Sequence, residues 1–119
     1  MIASLADDQI FVFGSNLAGN HAGGAARQAY DYFDAEMGVG EGMTGKCYAF
    51  PTLDENFRQV SNTVLKAARL NLYKCAVANP DKEFLLTKVG CGIAGFDEFD
   101  MKKLFKNAPS NITKPKGWL

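Results

Sequence analysis

Apolar and polar positions along the chain fall into short blocks that alternate between two periods. Gln9 to Phe13 (QIFVF) is β-branched and aromatic and runs into glycine, which predicts a buried strand. The segment after it places Ala22, Ala26, Ala29, Phe33 and Met37 at spacings of four, three, four and four, one apolar stripe along a helix, with Arg27, Asp31 and Asp34 off it. GVGEGMTG, residues 38–45, reads as a flexible loop. Cys47 to Phe50 (CYAF) predicts a second strand, stopped by Pro51. A second helix is expected to start at Ser61 or Asn62, both capping residues, to bury Leu65, Ala68, Leu72 and Cys75, and to end at Asn79-Pro80. Phe84 to Val89 (FLLTKV) predicts a third strand. A last helix after Asp97 carries Met101, Leu104, Phe105 and Ala108 on its apolar side; a short strand is expected around Asn111 to Thr113, and Trp118 is expected to pack onto the body.

Strands alternating with helices of this length predict an α/β fold, three-layered α/β/α, around a mostly parallel, mixed sheet. Right-handed crossovers put every strand-to-helix loop at one edge of such a sheet. Two of those loops share a pattern. Phe13 to Gly19 (FGSNLAG) and Val89 to Gly95 (VGCGIAG) each run apolar, Gly, two residues, apolar, Ala-Gly. If the first and third strands are neighbours, the two loops stand side by side at the carboxyl ends of the strands, where open α/β sheets bind ligands.

A length of 119 residues with 47% hydrophobic and 22% charged positions suits one globular domain, residues 1–119. Thirteen basic residues balance thirteen acidic ones, which excludes an extended nucleic-acid surface but not a compact anion held by backbone N–H groups. MIASLADDQIFVF has no Lys or Arg before its apolar run and carries Asp7 and Asp8, so it does not read as a secretory signal. No apolar stretch approaches the roughly 20 residues that cross a bilayer, and no membrane association is expected. Cys47, Cys75 and Cys91 lack CxxC spacing, which indicates neither a disulfide framework nor a zinc site, and a reducing cytoplasm is the expected setting. No metal and no cofactor are expected.

Each candidate residue has a chemical and a structural reading. Glycines let a ligand approach the backbone, and a loop that opens a helix aims free N–H groups at one point, so two facing loops suit a diphosphate; glycines and alanines also permit tight helix-to-sheet packing. Neither loop matches GxxxxGK[ST] or GxGxxG. Asn16 is placed to contact a sugar hydroxyl or to hold its own turn. His21, the only histidine, is read as a phosphate partner or as an exposed first-turn residue. Asp97 is read as a carboxylate that activates water or as a helix cap. Phe96 stacks on a base or ribose or joins the core, and Cys91 is read as packing. Glu41 reaches over the pocket as part of a lid or is solvated.

NLAGNHAGGAARQA, from Asn16 to Ala29, resembles the Asn-x-glycine-rich segment of macro domains, and KVGCGIAGFD, from Lys88 to Asp97, resembles their second loop. The branch that it resembles most has a second loop reading Ile-Gly-Cys-Gly-Leu-x-Gly-x-Asp-Trp. That branch includes ADP-ribose-phosphate phosphatases and hydrolases that remove ADP-ribose from carboxylates or DNA bases. FVFGSNLAG, GVGEGMTG, YAFPT and VGCGIAGF are also similar to segments of small macro-like proteins of phages and prophages.

The resemblance implies an ADP-ribose-like small-molecule ligand. Asn16 would meet the distal ribose, with Gly19 and His21 in the same loop, and Gly23 and Gly24 would let that ribose approach. Gly92, Ile93, Ala94 and Gly95 would wrap the diphosphate, with Phe96 beside them. Asp97 would match the loop aspartate implicated in hydrolysis of an ADP-ribosyl or ADP-ribose-phosphate bond. Non-catalytic sequestration of a nucleotide signal, or a protein-interaction scaffold, are the alternatives. The chain departs from the family pattern in three places: only eight residues precede the first strand, Leu53 follows Phe50-Pro51-Thr52 where some hydrolases use lysine, and no Trp follows Asp97.

Overall fold

The computed structural model describes residues 4–118. Residues 1–3, part of the segment read as lacking a secretory signal, lie outside these. The elements run β1 (Gln9–Asn16), α1 (Gly24–Tyr32), β2 (Gly42–Thr44), β3 (Cys47–Leu53), α2 (Asn62–Ala78), β4 (Glu83–Leu86), α3 (Glu98–Leu104) and β5 (Ile112–Thr113). They form an α/β fold on one five-stranded sheet of order β2-β3-β1-β4-β5, in which only the β2–β3 pair is antiparallel.

Period-two alternation sorts β1 between two cores. Ile10 and Val12 join Tyr48, Phe50, Leu65, Leu72 and Phe84 on the face covered by α2 and α3. Phe11 and Phe13 join Ala26, Ala29, Phe33, Cys47 and Ala49 on the face covered by α1. From Ile10 to Phe13 β1 is therefore continuously apolar, as a strand with helices on both sides must be. Trp118 closes one end of the larger core, its ring 6.0 Å from that of Phe105.

Boundaries differ from the sequence expectations where pairing, not composition, sets them. β1 runs on past Phe13 to Asn16 because Gly14 and Ser15 pair with Phe50 and Pro51. β3 passes through Pro51 because β2 reaches only to Ala49, so a missing N–H beyond that point breaks no ladder. Part of the expected 38–45 loop is strand β2. α1 starts at Gly24 and ends before Phe33; Ala22 and Met37, expected on its stripe, are exposed and outside it. β4 stops at Leu86, where Thr87 turns back to donate its hydroxyl to the Val12 carbonyl. α3 ends before Phe105, leaving Ala108 outside it. In α2, capped by Ser61 as expected, Ala76 takes the fully buried place and Cys75 is half-buried. Among the described residues no helix is long and apolar enough to cross a membrane.

Candidate functional site

β1 and β4 are neighbours, paired from Gln9↔Glu83 to Val12↔Leu86, so the loops that leave their carboxyl ends are adjacent. Between them opens a cleft of about 490 Å³, within the range of small-molecule sites. Its walls are Asn16, Asn20 and Ala22–Ala26 from the first loop and α1, and Thr87–Gly90 and Gly92–Ala94 from the second loop. Ser15, Thr52, Leu53 and Phe57 complete it.

The first wall ends on the N-terminus of α1. Gly23 is its N-cap, in extended conformation, with no side-chain cap and no acidic residue in the first turn. The first N–H groups of a helix have no intrahelical acceptor, and here they face the cleft with the positive end of the helix dipole. On the second wall, Gly95 N–H is spent on the Gly92 carbonyl and Phe96 N–H on the Gly90 carbonyl. The N–H groups of Gly92, Ile93 and Ala94 donate to no carbonyl among the described residues. Gln59 fixes this loop by donating to the Ala94 carbonyl at 2.8 Å. Among the described residues Lys88 is the one cation lining the cleft. Its Nζ lies 2.9 Å from Glu98 Oε1, which also accepts from Trp118 Nε1 at 3.1 Å. Those two partners hold the Glu98 carboxyl below its usual range, Lys88 contributing most.

A second groove of about 580 Å³ adjoins the cleft and shares Gly24, Ala25 and Thr87 with it. Its floor is Phe11, Leu85 and Leu86 and its far side Thr113, Lys114 and Pro115. The two meet at the α1 N-terminus, where Gly24 and Ala25 line both.

The structure brings Asn16, Gly23, Gly24, Gly92, Ile93 and Ala94 together around the cleft, and Gly19, His21, Gly95, Phe96 and Asp97 do not line it. Asn16 clasps its own turn: Oδ1 accepts from Asn20 N–H at 3.0 Å and Nδ2 donates to the Asn20 carbonyl at 2.8 Å. One amide hydrogen and one lone pair stay available. Gly19, at φ +71, packs so close to Gly38 that a Cβ would come within 2.3 Å of its carbonyl carbon. His21 is not the exposed first-turn residue of its structural reading: it precedes α1 and is wholly buried, Nε2 lying 2.8 Å from the Glu36 carbonyl. Asp97 is exposed and caps α3, its Oδ1 accepting from Phe99 N–H at 2.9 Å and Asp100 N–H at 3.2 Å. Glu41 accepts from Asn71 Nδ2 and is not part of the cleft. Cys47, sealed under α1, has its thiol pushed up to about 12 by desolvation, with Asp34 adding to the shift.

The sequence reading missed Phe57, Thr52, Thr87, Lys88 and the second groove. Phe57 stands at φ +61 with 56% of its surface exposed, in a loop built on the Asp54 carboxylate, which accepts from Asn56 and Arg58 N–H. The only signal for it was the Asp-x-Asn turn before an aromatic residue. Among the described residues no group of three or more His, Cys, Asp or Glu side chains is arranged to hold a metal ion. No protein-family model, curated protein or solved structure matches the chain.

Proposed function

We propose that the protein binds ADP-ribose or a related NAD-derived nucleotide, the diphosphate lying across the α1 N-terminus. The observation that carries this reading is the pairing of two glycine loops, at the ends of neighbouring parallel strands, around one cleft that continues into an apolar groove. A diphosphate needs N–H donors from both sides without a crowd of fixed cations. The α1 N-terminus, the 92–94 backbone and Lys88 supply these. A base fits the apolar floor of Phe11, Leu85 and Leu86, and the sugar beyond the diphosphate fits between Asn16 and Phe57. The resemblance of both loops to macro domains points to the same ligand class.

Within this reading a binder is favoured over a hydrolase. Asp97, the one carboxylate proposed for water activation, spends Oδ1 on the α3 cap and does not line the cleft. The deciding experiment is a calorimetric titration with ADP-ribose, with AMP and NAD as comparisons. A dissociation constant of about 1 μM, roughly 8 kcal/mol, supports two loops acting on one diphosphate. Recovery of the ligand unchanged after long incubation supports binding without turnover. No heat and no thermal shift with any of the three overturns the proposal, and a stable complex with a protein partner in their place favours the scaffold alternative.

A further inference from the structure

We propose that Gln59 is a positioning residue for anion binding: from a hairpin bonded to both glycine loops, it holds the 92–94 backbone in place opposite the α1 N-terminus. The inference rests on the ligand reading above and adds a third element to the two loops. The chain leaves β3 at Leu53 and doubles back through residues 53–59, where Leu53 and Gln59 pair as an antiparallel bridge. Asp54 N–H donates to the Arg58 carbonyl at 2.8 Å and Val60 N–H to the Thr52 carbonyl at 3.0 Å, while Asp54 Oδ1 accepts from the N–H groups of Asn56 and Arg58. This hairpin is rooted in the first loop. Leu17 N–H donates to the Leu53 carbonyl at 2.9 Å, and Thr52 Oγ1 donates to the Ser15 carbonyl at 3.3 Å. On its other side Gln59 Nε2 donates to the Ala94 carbonyl at 2.8 Å. The hairpin therefore ties the second loop to the first.

What Gln59 holds is one peptide plane. The Ala94–Gly95 peptide is fixed at both ends, its carbonyl by Gln59 and its N–H by the Gly92 carbonyl at 3.0 Å, which closes the 92–95 turn. Gly95 stands at φ +75, and a glycine leaves that plane more freedom than any other residue does. The two hydrogen bonds define it instead. The N–H groups of Gly92, Ile93 and Ala94 belong to this turn, so their direction follows from its closure. Donors that are already aimed need no ordering when an anion arrives, and affinity rises accordingly. Gln59 does not line the cleft, so it acts through the loop and not by touching the ligand.

Gln59 is exposed, so its replacement should disturb little besides this contact. Gln59→Met keeps the length of the side chain and removes the donor. Its melting midpoint should stay within about 3 °C of the wild type. In the unliganded variant the Gly95 amide should exchange with solvent about threefold faster or more, with the Leu17 and Val60 amides unchanged. Titrations then use inorganic pyrophosphate, ADP-ribose and adenosine. Affinity for pyrophosphate and for ADP-ribose should fall together by about 3- to 10-fold, as expected for the loss of one hydrogen bond. Adenosine, which carries no phosphate, should bind the variant as it binds the wild type. A Gly95 amide that exchanges at the wild-type rate overturns the positioning role, and so does undiminished affinity for pyrophosphate and ADP-ribose. Affinity for all three probes falling alike, with a larger drop in melting midpoint, is general loosening of the fold and overturns it too. If the wild type binds none of the three, the ligand reading fails, and the Gly95 exchange rate still decides whether Gln59 sets the loop.

Discussion

The Cδ1 methyl of Ile93 stands 3.7 Å from the point where a Cβ on Gly23 would lie, so the two glycine loops meet across the mouth of the cleft. Ile93 is 85% exposed there. An apolar side chain left that open at a cleft mouth is placed to close over a ligand that lies beneath it.

Gly23 gives the cleanest probe of the cleft. Its φ of −151° is open to any residue, and its surroundings leave room for a side chain. Gly23→Glu should keep unfolding stability within about 0.5 kcal/mol of the wild type and remove ADP-ribose binding, because a carboxylate then occupies the anion position at the α1 N-terminus. Gly24, at φ +61, is the poorer choice, since any side chain there costs about 1 kcal/mol in backbone strain. Calorimetry together with urea unfolding separates the two effects.

Phe57 separates binding from stability in the opposite sense. Its backbone is left-handed and its ring is largely in solvent, so Phe57→Gly relieves about 1 kcal/mol of strain while removing little packing. The variant should be as stable as the wild type or more so. If the ring stacks on the ligand, affinity should drop about tenfold or more, in line with roughly 1–3 kcal/mol for aromatic stacking on a base. An unchanged dissociation constant would remove Phe57 from the site.

Asp97→Ala should lower stability by about 1 kcal/mol through loss of the α3 cap, and Asp97→Ser should restore most of it. Neither variant should change ADP-ribose affinity, because Asp97 lies outside the cleft wall. Measured release of ribose or phosphate by the wild type that both variants lack would reinstate the hydrolytic reading.

Glu83 sets a pH dependence of stability in the acid range. Its carboxylate accepts from Thr113 Oγ1 at 2.6 Å and from Gln9 Nε2 at 3.0 Å, joining β5, β4 and β1, and these bonds hold its pKa below the ordinary value, Thr113 contributing most. A depressed folded-state value means that the stabilisation is present above the unfolded value of about 4.3 and is lost as pH falls through the folded one. Urea midpoints for the wild type and Glu83→Gln should differ at pH 6 and converge toward pH 3.

Much of the fold was legible because local chemistry dictates it. The QIFVF run had to be buried on both faces, Ser61 and Asp97 had side chains suited to capping, and Asn79-Pro80 ended α2 as such a pair does. The two matching glycine loops also marked the strand ends where the cleft opens. Boundaries were less legible at Asn16, Pro51 and Leu86, where a partner strand extends or withholds the ladder.

What the sequence by itself determined was therefore the order and type of most elements, and the presence of two glycine-rich turns behind apolar strands. Tertiary structure decided how those turns stand to one another. It set β1 beside β4 so that the loops share one cleft, and it left a groove beside Leu85 of β4, bordered by Gly24, Ala25 and Gln28, where α1 packs over β1 and β3. It put Phe57 at the rim and Asp97 outside the wall. It also took the lone histidine from the expected surface into the space between Phe13 and Glu36, residues far apart in the chain. Period and propensity report which face of an element is apolar; burial of a polar ring depends on what folds over it, and that contact exists only once the α1–β2 connection packs behind the loop.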